Sequence, residues 1–294
     1  MTKMRYAAVD IGSNAVRLLF CDVDVYQNHK EVKKISLIRL PIRLGQDVFT
    51  KKKISNKNIN NLIKALESFK NLASIYDVVA YRVCATSAMR EAKNGKEVID
   101  KIKKKTKIEI EIIDGDTEAK LILETHVTDK LDPTGTFLYI DVGGGSTELS
   151  IYSKGEQIQS KSFKIGTIRL KNDLVTEKTW KEMQSWIVKA IKKHQPEMAI
   201  GTGGNINKLY KMCGLKDYKL FGFSQLNDMN NLLLEHTIEE RILKLGLKPD
   251  RADVITHAAR IYLTVLKTAK IENIFVPKVG LADGIIYKLS EASY

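Results

Sequence analysis

The chain has 294 residues, of which 44% are hydrophobic and 28% are charged, and its net charge is +13; these fractions exclude wholesale disorder. No apolar run approaches the roughly 20 residues of a membrane span, and the N-terminus leads into a strand-like run, so we expect neither a membrane segment nor a signal peptide. Three widely spaced cysteines exclude a disulfide framework and predict a cytoplasmic location, while the positive charge favours polyanionic ligands.

The first predicted element is a β-hairpin at residues 9–20, here called the first hairpin, whose turn contains Gly, Ser and Asn. A similar segment, the second hairpin, occupies residues 140–151, at an offset of 131 residues (140 − 9). A third strand-like run follows each hairpin, at residues 35–40 and 157–163. The repeat predicts a duplicated chain.

After the third strand of each half, the apolar spacing becomes that of helices alternating with short strands. The predicted helices are residues 59–73, 98–102, 180–191 and 254–265, and the predicted strands are residues 78–84, 108–113, 198–200 and 273–276. Each half therefore reads βββαβαβα, which favours an α/β fold in two lobes with a cleft between them.

The lobe boundary is predicted within residues 128–135, a polar stretch with the Pro and Gly that are typical of a linker. A last helix, residues 281–289, is expected to pack back on the first lobe. We therefore predict an N-terminal lobe of residues 1–125 plus 281–294 and a C-terminal lobe of residues 126–280.

The turn of the second hairpin carries the clearest chemical signal. Three successive glycines, Gly143, Gly144 and Gly145, expose backbone N–H groups that are suited to cradle an anion. Ser146 and Thr147 add hydroxyl donors. Alone, this segment favours a tight turn with nothing bound; the duplicated hairpin reverses that preference and favours a phosphate site between the lobes.

Two carboxylates flank the glycines. Asp141, at a strand end, is suited to hold Mg²⁺, a hard ion that prefers carboxylate and phosphate oxygens. Glu148 is suited either to orient a water molecule or to complete the metal shell. The expected ligands of a Mg²⁺ or Mn²⁺ ion are Asp141, Glu148 and Asp10.

The chain resembles the exopolyphosphatase and guanosine-pentaphosphate phosphatase family, within the actin, Hsp70 and sugar-kinase superfamily. The matching segments are residues 9–14, 84–94, 113–121, 141–148, 200–204 and 248–255. They follow the family's order and cover nearly the whole chain, and residues 84–94 are the most specific. The resemblance implies two duplicated actin-like lobes, also described as ribonuclease H-like.

The resemblance also implies roles for residues of the first half. Glu118 would be the general base that orients and deprotonates the attacking water. Arg90 would clamp phosphate oxygens with its planar guanidinium group. Ser13 and Asn14 would donate to the terminal phosphoryl group. Without the resemblance, Glu118 is an ordinary first-turn glutamate of a helix and Arg90 a surface arginine.

Some positions depart from the family pattern. Ala15 replaces a serine that is common after Ser-Asn, Asp114 stands where serine is frequent, and Thr117 precedes Glu118 where a second Glu is usual. None of these changes removes a proposed catalytic group.

The implied reaction is hydrolysis of the terminal phosphate of inorganic polyphosphate, with guanosine pentaphosphate as the alternative substrate. From other classes, an actin-like nucleotide switch with little hydrolysis and a binder of polyphosphate or nucleic acid stay open. A switch should bind ATP tightly, whereas a binder should show no turnover in Mg²⁺. We expect no membrane partner and no specific nucleic acid, and a homodimer is left open.

Overall fold

A computed structural model describes residues 2–26, 29–123, 125, 131–132, 134–216 and 219–291. The backbone forms two compact units: Met1–Thr125 with Leu281–Tyr294, and His126–Gly280. Within the predicted lobe boundary, residues 128–130 and 133 lie outside the described residues.

The first unit is built on a five-stranded sheet. Its strands are β1 (Thr2–Ile11), β2 (Val16–Tyr26), β3 (His29–Leu40), β4 (Ala80–Ala85) and β5 (Glu111–Ile112). The spatial order is β3-β2-β1-β4-β5, in which β1 to β3 are antiparallel and β4 and β5 run parallel to β1. The antiparallel part contains the first hairpin, and the parallel part needs helical connections.

Helices supply those connections. They are α1 (Leu44–Lys51), α2 (Asn56–Ile75), α3 (Ser87–Glu91), α4 (Gly95–Thr106) and α5 (Gly115–Leu123). The longest, α2, begins at Ser55, whose side chain accepts a hydrogen bond from the backbone N–H of Asn58. Such a cap satisfies one of the unpaired N–H groups of a helix start. The apolar stripe of α2 is buried, as its helical spacing predicts.

The second unit repeats this plan. Its strands are β6 (Thr136–Val142), β7 (Thr147–Ser153), β8 (Glu156–Phe163), β9 (Met198–Thr202), β10 (Phe221–Gly222) and β11 (Asn273–Phe275). They are ordered β10-β11-β9-β6-β7-β8. Reading from the hairpin side, both sheets place the third strand beside the second, the second beside the first, and the first beside the fourth. The predicted duplication of an α/β sheet is thus confirmed, and β10 is an added edge strand of the second copy.

The second unit's helices surround one large apolar core. They are α6 (Thr167–Lys171), α7 (Glu177–His194), α8 (Gly204–Met212), α9 (Phe223–Leu234), α10 (Ile238–Leu243), α11 (Pro249–Ala252) and α12 (Ile255–Ala269). The helix α12 contributes most of one face to that core. None of the helices in the described part of the chain combines the length and the apolar character that a bilayer span requires.

The last helix, α13 (Leu281–Glu291), belongs to the first unit, although the whole second unit precedes it in the chain. It packs against β1 and α5. A Cβ atom added at Gly284 would lie only 1.8 Å from the carbonyl oxygen of Leu121 in α5. Glycine is therefore required where the two helix backbones meet. At the surface, Lys34 Nζ lies 2.6 Å from Asp283 Oδ1.

Candidate active site

The turn of the second hairpin is held from one side by the start of α6. All three carbonyl oxygens of residues 143–145 accept hydrogen bonds from that segment. The donors, in order, are Thr167 N (3.1 Å), Ile168 N (2.9 Å) and Arg169 Nε (2.6 Å). The turn is therefore fixed in orientation by three separate contacts.

This arrangement aims the turn's N–H groups away from α6. In a trans peptide, the N–H of one residue points opposite to the carbonyl of the residue before it. The N–H groups of Gly144, Gly145 and Ser146 therefore point to the other side, and within the described residues no protein acceptor receives them. Neighbouring donors without a protein acceptor form a cradle for an anion, which we call the glycine cradle.

Among the hydroxyl groups beside the glycine cradle, Thr147 has a structural role. Its side chain is fully buried, and its Oγ1 donates to the carbonyl of Ile165 at 2.6 Å. Because this bond uses its one hydroxyl proton, Thr147 does not fit the predicted role of phosphate donor. Ser146, whose backbone N–H belongs to the cradle, keeps that predicted role.

Two carboxylates lie opposite each other in the strand pair that leads into the cradle. Asp141 on β6 is the ladder partner of Glu148 on β7. Glu148 is only 5% exposed, and its Oε1 accepts a 2.8 Å hydrogen bond from Ser162 Oγ. A Cβ added at Gly203 would lie 3.1 Å from Asp141 Oδ1. The loop after β9 therefore comes close to this carboxylate.

The first hairpin has a different charge arrangement at the same ladder position. Asp10 on β1 is the partner of Arg17 on β2. Arg17 donates from a terminal guanidinium nitrogen to Asp10 Oδ2 at 2.5 Å. The Asp10 side chain is buried, whereas that of Arg17 is 31% exposed. The charge of Asp10 is thus balanced by the protein itself.

The turn of the first hairpin is also held through its carbonyl groups. The oxygens of Ser13 and Asn14 accept from Gly45 N (2.8 Å) and Arg43 N (3.1 Å), at the start of α1. In both copies, therefore, the helix after the third strand orients the hairpin turn. The Ser13 hydroxyl lies 2.8 Å from the hydroxyl of Ser87, the first residue of α3. This pair uses one of its two protons internally and leaves the other for a ligand.

Glu118 lies on the first turn of α5 and is half-buried. The helix is capped by Asp114, whose Oδ1 accepts from Thr117 N at 2.8 Å and whose carbonyl accepts from Glu118 N at 3.0 Å. Hydrogen bonds from Thr117 lower the pKa of the Asp114 carboxyl, and the nearby Arg90 charge acts in the same direction. A charged cap therefore fixes the turn that carries Glu118.

Arg90, near the end of α3, fixes the same turn from another side. One terminal nitrogen of its guanidinium group donates to the carbonyl oxygen of Ile113 at 2.6 Å, immediately before the cap residue Asp114. Arginine has five N–H donors in a planar fork, so this bond leaves others for a phosphate. Arg90, the predicted phosphate-binding residue, therefore also holds the start of α5 in place.

Cys84 is a buried cysteine next to Asp10, and its pKa depends on its surroundings. This residue on β4 is the ladder partner of Asp10. Burial raises the pKa of Cys84 to about 12, and the negative charges of Glu111, Asp10 and Glu118 act in the same direction. Asp10 therefore lies beside a buried thiol on the neighbouring strand.

The sequence interpretation missed two residues of the second unit that shape the glycine cradle. A Cβ at Gly166 would lie 2.5 Å from backbone atoms of Gly144 and Gly145, so the α6 start approaches the turn only because residue 166 is glycine. Arg169, 5% exposed, is the buried donor to Gly145. The sequence offered one signal. Arg169 lies between the apolar residues Ile168 and Leu170, which suggests that it is buried, and a buried charged residue usually has a partner.

The carboxylates present fit a hard divalent cation that is shared with a substrate. Within the described residues there is no group of three or more His, Cys, Asp or Glu side chains that could hold a metal ion. Mg²⁺, however, is commonly bound through one or two carboxylates together with waters and substrate phosphates. The facing pair Asp141 and Glu148 meets that requirement, whereas Asp10 already has the cation of Arg17.

Comparison with known proteins assigns the chain to one family. The sequence model of the Ppx/GppA phosphatase family matches residues 24–292. Exopolyphosphatase 1 of Mycobacterium tuberculosis is 23% identical over 305 residues, which cover 97% of this chain and 88% of that protein.

Two solved structures share the fold. The crystal structure of an exopolyphosphatase from Cytophaga hutchinsonii is 26% identical, covers 98% of both chains and has a TM-score of 0.84. A Ppx/GppA family member from Aquifex aeolicus is 24% identical, covers 99% of both chains and has a TM-score of 0.78. The predicted α/β fold class with two related sheets is confirmed, and it is the fold of these two structures. The chain belongs to the Ppx/GppA phosphatase family.

Proposed function

We propose that this protein is an exopolyphosphatase that releases the terminal phosphate of inorganic polyphosphate. The observation that carries the proposal is the glycine cradle, where the N–H groups of Gly144, Gly145 and Ser146 have no protein acceptor among the described residues. A terminal phosphoryl group supplies the negatively charged oxygens that such donors bind. The family and its named relatives support hydrolysis of a phosphoanhydride bond.

The proposed chemistry is an in-line displacement by water. The oxygen of the water forms a bond to the terminal phosphorus, and the bond from that phosphorus to the bridging oxygen breaks. Glu118 orients the water and accepts its proton, and the remaining chain leaves with the bridging oxygen and the electron pair of the broken bond. The backbone donors of the cradle and the free N–H groups of Arg90 stabilise the charge on the phosphoryl oxygens.

A Mg²⁺ or Mn²⁺ ion is part of the proposal, with Asp141 and Glu148 as the protein ligands. When bound, such an ion neutralises phosphate charge and orients the phosphoryl group. Ser162 contributes by fixing one oxygen of Glu148 through its hydroxyl group. Asp10 stays a predicted ligand, although its pairing with Arg17 makes it a weaker candidate than the other two.

The proposal is tested first through Glu118→Gln. Glutamine keeps the size of the side chain but is a poor proton acceptor, and a general base contributes about 10²–10⁴-fold to the rate. We expect kcat to fall by about that factor, with little change in KM or in the free energy of unfolding. Phosphate release should be measured with Mg²⁺ from tripolyphosphate, long-chain polyphosphate, guanosine pentaphosphate and ATP in parallel.

Glu97→Gln is the matched control, because Glu97 is an exposed first-turn glutamate of another helix of the same unit. It should release phosphate at the wild-type rate. Wild-type turnover in folded Glu118→Gln protein would refute the assignment of the base. Faster hydrolysis of guanosine pentaphosphate than of any polyphosphate would transfer the proposal to that substrate.

A further inference from the structure

A lysine-lined groove of about 510 Å³ lies on the second unit, between α7 and the edge strand β8. It is called the lysine groove below. Its lining residues are Lys161, Lys178, Lys181, Glu182, Ser185, Trp186 and Lys189. Four cations and one anion give the lining a net charge of +3 (4 − 1).

The groove follows directly from the pattern of α7. One face of the helix is buried through Trp180, Met183 and Ile187. Lys178, Lys181 and Lys189 lie on the exposed side, and they are spread over about 16 Å at 1.5 Å per residue. This length accommodates several consecutive phosphate units of a linear chain.

The positive charge of the groove is not neutralised within the described residues. No ion pair is formed there by Lys178, Lys181 or Lys189, and Glu182 is the only acidic residue in the lining. By contrast, Lys103 of α4 pairs with Glu109 at 2.7 Å. Adjacent uncompensated cations repel one another and attract a polyanion.

The groove lies in the same unit as the glycine cradle, on the face of β8 that carries Lys161 and Phe163. Ser162, which contacts Glu148, lies on the opposite face, so a chain that joins the two sites would pass around the free edge of β8. On β8, Phe163 pairs with Thr147, the residue that follows the turn, and Lys161 pairs with Leu149 two positions further on. That separation is about 7 Å along a strand. Lys161 Nζ lies 5.3 Å from the centre of the Phe163 ring, so its ammonium group is directed along the groove wall.

The lining favours a phosphate chain over a nucleic acid. Its single aromatic residue, Trp186, is half-buried and packs edge-on against Phe163 at 6.0 Å, so it offers no free platform on which bases stack. Lysine ammonium groups act as point charges that bind phosphate oxygens without demanding one geometry.

We propose that the lysine groove is a second binding site for linear polyphosphate, which holds the chain at a distance from the end that is cut. The inference rests on the proposed function, because it assumes that polyphosphate is the substrate. Its consequence is a preference for long chains: a short polyphosphate occupies the cradle alone, whereas a long one gains contacts in the groove.

The test removes three groove lysines together, in the variant Lys178→Ala, Lys181→Ala and Lys189→Ala. The control, Lys101→Ala, Lys104→Ala and Lys105→Ala, removes the same charge from exposed positions of α4. Both triple variants are made in a Glu118→Gln background, so that bound chains persist during the measurement. Thermal unfolding verifies that both variants fold.

Affinity for long-chain polyphosphate and for tripolyphosphate is then measured at several salt concentrations. We expect the groove variant to bind the long chain about 10-fold more weakly, as the sum of three exposed charge contacts. Its affinity for tripolyphosphate should stay within about twofold. The slope of log K against log salt for the long chain should decrease in magnitude by about 2, from three lost phosphate contacts.

An independent readout comes from Trp186, because the chain has only two tryptophans. In a Trp180→Phe variant, long-chain polyphosphate should change the fluorescence of Trp186, and tripolyphosphate should not. This signal reports occupancy of the groove whether or not the protein hydrolyses the chain.

Each outcome decides the question. Equal losses in the groove variant and the α4 control, or no loss in either, would overturn the inference. So would an equally large loss of affinity for a single-stranded oligonucleotide, which would make the groove a nucleic-acid site. If wild-type protein releases no phosphate but the groove still binds long chains selectively, the proposed function fails and the site stands.

Discussion

The two hairpins share one backbone design and differ in charge. In each, the first turn residue donates to the carbonyl of the fourth: Gly12 N to Ala15 O at 3.1 Å, and Gly143 N to Ser146 O at 2.9 Å. In each, a helix after the third strand binds the turn's carbonyl groups. The side chains at the ladder position before the turn, however, are an aspartate and an arginine in the first copy and two carboxylates in the second.

This difference in charge suggests that the two hairpins have different roles. An aspartate paired with arginine carries no net charge, so this ladder position of the first hairpin needs no added cation for charge balance. Two facing carboxylates repel each other unless a cation or a proton is added. We therefore propose that a metal ion and a phosphate bind at the second hairpin, and exchanging the charges tests this directly.

The largest effect is expected when the second hairpin is given the charge pattern of the first. Glu148→Arg places a cation opposite Asp141, as Arg17 lies opposite Asp10. Metal ions contribute several kcal/mol to such reactions, so Mg²⁺-dependent phosphate release should fall by about 10³-fold. Stability in EDTA should stay the same or rise, because two like charges in facing ladder positions are replaced by opposite charges. Steady-state kinetics and urea unfolding measure the two effects.

Glu148→Gln removes the negative charge but keeps the size of the side chain and an oxygen that can accept from Ser162. It therefore separates the effect of charge from the effect of size. It should raise the Mg²⁺ concentration required for half-maximal activity. If that concentration is unchanged, Glu148 does not hold the metal, and the contrast between the hairpins is structural only.

An intermediate effect is expected from removing the internal cation of the first hairpin. Arg17→Met leaves the buried Asp10 without this partner. Breaking a buried ion pair costs about 3–5 kcal/mol, and the partial exposure of Arg17 reduces our expectation to about 2–3 kcal/mol. The free energy of unfolding from urea titration measures the loss.

The double variant Asp10→Asn with Arg17→Met should regain part of that loss, because no unpaired carboxylate is left. If Arg17→Met is as stable as the wild type, Asp10 is satisfied by other groups, and the first hairpin does not depend on its arginine.

The smallest effect concerns the cap of α5, where the first unit again balances a carboxylate with its own groups. Asp114→Ala should lower stability at pH 7 by about 0.5–1 kcal/mol, whereas Asp114→Ser should be nearly neutral, because both Asp and Ser cap helices well. The aspartate-to-serine difference in the family pattern is then a change between two equivalent caps.

The pH dependence of this cap has a definite sign. The folded pKa of Asp114 is lowered, so its contribution is present above the unfolded value of about 3.9 and is lost as the pH falls through the lower folded value. The stability advantage of wild type over Asp114→Ala should therefore shrink below about pH 4. The stability advantage of Asp114→Ser over Asp114→Ala should not shrink, because serine does not titrate in this range. An advantage that is constant down to pH 2 would show that the carboxylate charge is irrelevant.

The sequence predicts what depends on local patterns. The hairpins and the apolar face of α2 follow from residue spacing. The alternation at residues 108–113 predicts a strand over the whole segment. In the structure only Glu111–Ile112 pairs with β4, and this short strand lies at the edge of the sheet. Ile112 is consequently exposed, whereas Ile113 is buried.

The candidate site was predictable where backbone conformation carries the chemistry and not where tertiary contacts decide it. Three adjacent glycines predict the glycine cradle. Their spacing does not show that Gly166 and Arg169, at the start of α6, fix the orientation of the cradle. For the same reason, the commitment of the Thr147 hydroxyl to Ile165 is invisible in the sequence: the donor and the acceptor are 18 positions apart.

The contact between Gly284 and Leu121 has a consequence for biosynthesis. The helix that carries Glu118 leaves the ribosome early, but the helix that covers it is translated only after the whole second unit. At about 5–20 residues per second, the intervening residues 126–280 take roughly 8–30 seconds to synthesise. During this interval α5 of the nascent first unit lacks the helix that covers it, and we expect it to be a surface to which chaperones bind. We expect the proposed general base to be set in place only when translation reaches α13.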